Sequence, residues 1–100
     1  FFKSKLVTAR VVEAEKVEDA DKLLKLQIEI GGQKRQIVAG IAKYYAPEDM
    51  VGKTIIVVSN LKPAKIRGIE SNGMLLAAKS KKRLTVATFD GDVPSGLAVG

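Results

Sequence analysis

The chain has 100 residues, 46% of them apolar, a formal net charge of +6, and neither cysteine nor histidine. At this length there is room for one domain and one modest core, with roughly two thirds or less of the unfolded surface buried. The missing residue types exclude a disulfide framework, a thiol nucleophile, a histidine base and the usual zinc ligand sets, and no stretch approaches the ~18 uncharged apolar residues that span a bilayer.

Phe1 to Arg10 carries basic residues but lacks the apolar run of a signal peptide. The absence of disulfides fits a reducing compartment, and a cytoplasmic location is expected. A start at Phe1 instead of methionine, and an end at Gly100, are expected of a domain cut from a longer polypeptide.

Leu6 to Val12 is rich in β-branched residues with only partial alternation, and predicts a first strand. Glu13 to Asp21 is acidic, and either Asp19 or Asp21 is placed to cap a turn. Leu24, Leu26, Ile28 and Ile30 then alternate with Lys25, Gln27 and Glu29, the period-two pattern of a strand with one buried face. Gly31 and Gly32 form the hairpin turn, since two residues without Cβ accept positive φ. Lys34 to Ala39 follows as a third strand, with Ile37 and Val38 in the core and Gly40 as its stop.

Within Ala42 to Met50, Pro47 at an opening position and Glu48 and Asp49 in the first turn match helix-start chemistry. Thr54 to Val58 is an uninterrupted β-branched run and reads as a central strand. Pro63 bars a continued ladder because it has no N–H to donate. Ile69 to Ser71 is bracketed by Gly68 and by Asn72 with Gly73, the strongest hairpin-turn signal in the chain. Met74 to Ala78 and Leu84 to Phe89 are the last strands, separated by the basic loop Ser80 to Arg83. In the former, Met74 and Leu75 must point to opposite faces.

About six short strands with one helical interruption after the third predict an all-β fold. A five-stranded barrel with a short helix between strands 3 and 4 is the OB-fold, here with extra C-terminal strands; an SH3-like barrel or an open sheet is the alternative. Residues 1–100 are read as a single domain.

Charge is unevenly spread. Lys53 to Arg83 holds eight of the 17 basic residues against one acid, Glu70, for a formal charge of +7, while the remainder of the chain sums to −1. Such a concentrated field points to a polyanion partner, although a solvated charged face is its ordinary alternative. Catalytic groups are scarce. Asp90 and Asp92 have the i, i+2 spacing of many hairpin turns and lack the other ligands of a calcium loop, so neither metal nor cofactor is expected.

Lys62, Lys65 and Arg67 lie within six positions on a segment stiffened by Pro63 and ended by Gly68, and are expected to face one solvent side. Arg67 is suited to fork onto a phosphate, with the two lysines acting as point charges. Asn60 offers its amide to bases or riboses, or caps a turn; Asn72 is read as a turn cap. Lys79 and Lys82 extend the basic surface. The aromatics are only Phe1, Phe2, Tyr44, Tyr45 and Phe89. Such scarcity argues against a stacking platform for single strands and toward structured RNA read by phosphate geometry, with at most one or two stacked bases. Tyr44 and Tyr45 are expected over the barrel end, with contact to RNA as the alternative.

Four clusters with fixed spacing carry a family likeness: Ala20 to Leu23; Arg35 with Ile37 to Ile41; Asn60 to Pro63 with Lys65, Arg67 and Gly68; and Ser71 with Gly73 to Leu76. In these the chain resembles the tRNA-binding domains that occur as free homodimeric proteins and at the C-terminus of methionyl-tRNA synthetases. The resemblance implies an OB-fold that holds tRNA at the outer corner of its L shape without chemistry on it and with little regard for the anticodon. It places Lys62, Lys65, Arg67, Ser71 and Met74 in or near the RNA-facing region, with Arg35 beside them, and implies dimerisation through C-terminal strands.

The expected RNA-binding set is therefore Arg35, Asn60, Lys62, Lys65, Arg67, Ser71, Met74, Lys79 and Lys82, with no catalytic residue. Two departures stand out. Lys5 to Thr8 replaces an Asp-Leu-Arg-Val run common in relatives, and Val17 to Asp19 replaces a His-Pro pair. The leading expectation is the appended domain of a methionyl-tRNA synthetase. A free-standing homodimeric tRNA-binding protein and a non-catalytic dimerisation or protein-docking module are the alternatives.

Overall fold

The computed structural model describes residues 5–100. Phe1 and Phe2, counted among the aromatics above, lie outside the described residues. Among the described residues nine strands and one helical turn follow in order: β1 (Leu6–Val17), β2 (Ala20–Ile30), β3 (Gln33–Ala39), α1 (Pro47–Met50), β4 (Thr54–Val58), β5 (Ala64–Ile66), β6 (Ile69–Ser71), β7 (Met74–Leu75), β8 (Ala77–Lys79) and β9 (Leu84–Val86).

The period-two pattern of β2 does what it predicts: Leu24, Leu26 and Ile28 are fully buried. They share one buried cluster with Ala9 and Val11 of β1, Ile37 of β3, and Ile55 and Val57 of β4. Both Gly31 and Gly32 have positive φ, +55° and +92°, as a two-residue hairpin turn between β2 and β3 requires.

β1 is longer than its sequence suggests. Its first half pairs with β4 and its second half with β2, with a register shift between Val11 and Glu13 that bends the strand from one partner to the other. The acidic stretch through Lys16 is thus strand, and the turn falls at Glu18 and Asp19, the latter at φ +62°.

The partial alternation of β1 also has a cause. Val7, Thr8 and Ala9 are all buried because the C-terminal tail lies along this half of β1. Thr8 N–H donates to the Leu97 carbonyl at 2.9 Å, Gly96 N–H to the Thr8 carbonyl at 2.7 Å, and Val99 N–H to the Leu6 carbonyl at 2.9 Å.

The main sheet runs β3-β2-β1-β4-β7. It shuts into a barrel where β3 meets residues 70–72. Asn72 N–H donates to the Gln36 carbonyl at 2.8 Å, the Gln36 amide to the Glu70 carbonyl at 2.8 Å, and Val38 N–H to the Ser71 hydroxyl at 3.0 Å. This is the OB-fold arrangement, with α1 between β3 and β4 and the β8–β9 pair added beyond the barrel. Met50 of α1 is fully buried and plugs one end, and the Asp49 carboxylate accepts from Ala46 N–H at the start of the helical turn. The helix is one turn, shorter than the Ala42 to Met50 stretch.

Further strand boundaries differ from expectation, and the last strand ends at Val86 instead of Phe89. Asn72 and Gly73 do not make the hairpin turn; Arg67 and Gly68 do, at φ +53° and +78°. Gly73 instead marks a close passage, since a Cβ there would lie 3.1 Å from both the Val57 side chain and the Val58 carbonyl. The expected strand from Met74 is divided at Leu76, whose N–H still pairs with Ile56 of β4 while its carbonyl accepts from Ala87.

Replacing Ser71 with alanine would leave the buried Val38 N–H without an acceptor, and should lower stability by about 1–3 kcal/mol in urea unfolding. Gly96→Ala should cost roughly 1–2 kcal/mol or more, because φ is +86° and the new Cβ would stand 2.8 Å from the Gly31 Cα. Gly91→Ala, with nothing within 4 Å, is the control and should melt within about 0.5 kcal/mol of the unaltered chain.

Candidate nucleic-acid interface

The β5–β6 hairpin is a two-stranded ribbon outside the main sheet, with Lys65 paired in register to Glu70 and Ile66 to Ile69. Pro63 immediately precedes it, so the chain enters without offering an N–H there. Arg67 occupies the first turn position in the left-handed region, where Gly or Asn is favoured and other residues are strained. The hairpin thus presents a guanidinium at its tip at a conformational cost.

Lys62, Lys65 and Arg67 are exposed. Among the described residues the ion pair is between Lys25 and Glu15, on β2 and β1, so none of the three is neutralised by a carboxylate. Glu70, opposite Lys65, accepts instead from the Asn72 amide at 3.1 Å. The three share the hairpin and its approach, but not one face. Ile66 and Arg67 line a cleft with the start of β2, and strand alternation puts Lys65 on the other side of the ribbon from Ile66.

The remaining expected residues divide into supports and contacts. The Arg35 guanidinium donates to the Ser59 carbonyl at 2.7 Å and is half-buried. Asn60 accepts from Lys5 N–H at 2.8 Å. Together they anchor the base of the segment that carries Lys62, which makes Asn60 a brace. Ser71 needs correction as a contact: it is 4% exposed, accepts from Val38 N–H and donates to the Gly73 carbonyl at 3.1 Å. Its hydroxyl is spent inside the fold.

Met74 is 59% exposed while Leu75 is buried, the opposition that a strand demands. Met74 and Lys79 line a cavity of about 370 Å3 together with Leu23 and Ile66. Lys79 also borders a smaller one of about 200 Å3 with Lys22, Lys43 and Tyr44. Lys82 is exposed in the Ser80 to Arg83 loop, and none of these cavities includes it.

Lys22, Lys43 and Tyr44 are the residues that the sequence reading did not gather. Ala42 N–H donates to the Lys22 carbonyl at 3.0 Å, which joins two segments about twenty positions apart and sets their lysines beside Arg67. Lys22 lies in a cluster that carried the family likeness, but its partners become visible only in space. Of the two tyrosines, Tyr45 packs against the core and its hydroxyl accepts from Val86 N–H at 3.0 Å, as expected. Tyr44 stays 42% exposed at the cleft.

The two departures differ in their bearing on this surface. At the first, Lys5 acts through its backbone N–H, which Asn60 accepts, and Val7 is buried and bridged to Ala98 of the tail; the second places Asp19 in the lining of the cleft.

Residues 6–98 match the family described as "Putative tRNA binding domain". The methionine-tRNA ligase of Thermotoga maritima is 59% identical over 99 residues, covering 99% of this chain and 16% of the ligase. That of Bacillus subtilis is 48% identical over 99% of this chain and 15% of the ligase. The chain therefore spans about a sixth of the length of these curated relatives. Among solved structures, a MetRS-related protein from Pyrococcus horikoshii superimposes with a TM-score of 0.93 at 39% identity, covering 100% of this chain and 93% of that one. The chaperone CsaA from Bacillus anthracis gives 0.90 at 25% identity, covering 100% and 93%. With its barrel, its basic hairpin and nearly its full length matched, the chain belongs to the tRNA-binding domain family.

Proposed function

We propose that residues 1–100 form a single domain that binds tRNA by shape and phosphate geometry, as the C-terminal appended module of a cytoplasmic methionine-tRNA ligase. The observation that carries this reading is the hairpin of Lys62, Lys65 and Arg67, exposed, free of carboxylate partners among the described residues, and set beside Lys22, Lys43 and Lys79. The ribbon meets phosphates from both sides, with Arg67 reaching from the tip. The module raises affinity and residence of tRNA, while aminoacylation belongs to other parts of the ligase. Arg35, Asn60 and Ser71 act by holding the hairpin, and Met74 supplies an apolar contact to an unstacked base or ribose.

The homology with methionine-tRNA ligases supports this reading over a free-standing protein. The likeness to CsaA supports a second one, a module that docks protein, with exposed Leu61 and Met74 as its apolar contacts. Salt separates the two: phosphate contacts release counterions and weaken steeply with ionic strength, whereas a desolvated apolar seam does not.

We further propose that two copies pair through the C-terminal segment, where Leu97 is 46% exposed on the tail beside β1. Two basic hairpins then act on one tRNA, and effective concentration raises affinity.

Replacing Lys62, Lys65 and Arg67 together with glutamine should weaken binding to bulk tRNA roughly 100-fold, at about 1 kcal/mol or a little more per charge-assisted contact. In filter binding across a salt series the logarithmic slope should become shallower by about 2 to 3. The melting temperature should hardly move, since exposed charges contribute little to folding; unchanged tRNA affinity would rule the site out. For the dimer, light scattering of Leu97→Lys should report a monomer where the unaltered chain gives twice that mass, and a monomer in both cases would refute the seam.

A further inference from the structure

The start of β2, Lys43 and the hairpin tip border an open cleft of about 540 Å3, inside the roughly 300–1,000 Å3 range of small-ligand sites. Its lining is not that of a plain phosphate track. Lys22, Lys43 and Arg67 bring positive charge, but Leu23 and Ile66 bring apolar surface, and Asp19 and Asp21 bring two carboxylates. Neither carboxylate is held in an ion pair among the described residues, although three cations border the same space. Acids that are not consumed by neighbouring bases remain acceptors for something else. A phosphodiester alone is repelled by them.

We infer that this cavity is a subsite for one unpaired nucleotide. The inference rests on the RNA binding proposed above and adds a base preference to it. Lys22 and Lys43 take the phosphate, the base lies against Leu23 and Ile66, and its donor-bearing edge turns to Asp19 and Asp21. Unstacked bases are read in this way, by an apolar surface for the ring and hydrogen bonds to the Watson–Crick edge.

Guanine fits best. Its N1–H and N2–H stand side by side and meet the two oxygens of one carboxylate. Adenine and cytosine place an acceptor nitrogen beside their amino group, and uracil flanks its single N–H with two carbonyls, so each of these sets a lone pair against the carboxylate. The walls are already braced: Ala42 N–H is bonded to the Lys22 carbonyl, and Tyr44 and Tyr45 N–H to the Ile41 carbonyl at 2.9 and 3.0 Å. Little ordering is then lost on binding. The smaller cavity bordered by Tyr44 shares both Lys22 and Lys43, which gives the adjoining nucleotide a continuous path.

The test uses fluorescent single-stranded octamers, one all uridine and one with a single central guanosine, with bulk tRNA measured alongside. The guanosine octamer should bind about tenfold tighter or more, the discrimination expected of one good bidentate contact. The double substitution Asp19→Asn and Asp21→Asn preserves size and the left-handed turn at position 19, removes repulsion, and leaves one acceptor where each carboxylate had two. It should bind the uridine octamer at least as tightly and reduce the preference to within about twofold, with an unchanged melt. Equal binding of the two octamers by the unaltered chain, or a preference that survives the double substitution, overturns the subsite. If tRNA is bound while the octamers are not told apart, this inference alone falls; if tRNA is not bound either, the proposed function falls with it.

Discussion

The proposed binding face depends on how the barrel shuts. β3 is joined to the far side of the sheet by one backbone hydrogen bond from Asn72 to Gln36 and by two bonds that use side chains, Val38 to the Ser71 hydroxyl and the Gln36 amide to Glu70. A continuous ladder is replaced by a short polar clasp. Its consequence is geometric: β6 is held against β3, so β5 and the turn at Arg67 and Gly68 must project beside the start of β2. A free two-stranded hairpin is marginal in water. Here the clasp gives it a fixed foot, and residues of the clasp thereby serve stability and placement at once.

The hairpin itself runs against several local preferences, each in the direction of presenting charge. Arg67 sits at positive φ where glycine or asparagine is easier, and Lys65 faces a glutamate that bonds to Asn72 instead. Proteins tolerate such choices where surrounding structure over-determines them. The surroundings here include Arg35, which ties β3 to the Ser59 carbonyl, and Asn60, which is fixed to the backbone of Lys5. Polar residues at the root of the segment are used up in holding it, which leaves the cations farther out without carboxylate partners among the described residues.

Much of this was legible in the sequence, and what was not has physical causes. β2 and β4 were readable because one alternates and the other is a β-branched run of strand length, and the glycine pair at 31 and 32 can hardly be anything but a turn. β1 reads short because its two halves answer to different partners, and the tail that lies along Val7 to Ala9 is some ninety positions away. Asn72 and Gly73 carry the local signature of a hairpin turn, yet closure claims the Asn72 N–H and tight packing on Val57 claims Gly73. Local chemistry yielded to a long-range constraint. In the site, charge density and proline marked Lys62, Lys65 and Arg67. Lys22, Lys43 and Tyr44 lie in an otherwise near-neutral part of the chain and join the cleft only through the backbone bond between Ala42 and Lys22. Ser71 illustrates the reverse: its place in a family cluster says that it matters, and only its burial says that it matters to the barrel.

The hairpin and the cleft differ in what their groups can distinguish. An exposed ammonium or guanidinium meets a phosphate whatever base it carries, so in the proposed function the ribbon supplies affinity and register without sequence. A carboxylate is attracted only to N–H donors, and in a duplex the Watson–Crick donors are already paired. A continuous helix therefore satisfies the ribbon and leaves Asp19 and Asp21 facing phosphates that they repel. An RNA with an ordered backbone and one base free of its stack satisfies both, which is the kind of RNA that a folded, looped molecule offers and a uniform duplex does not.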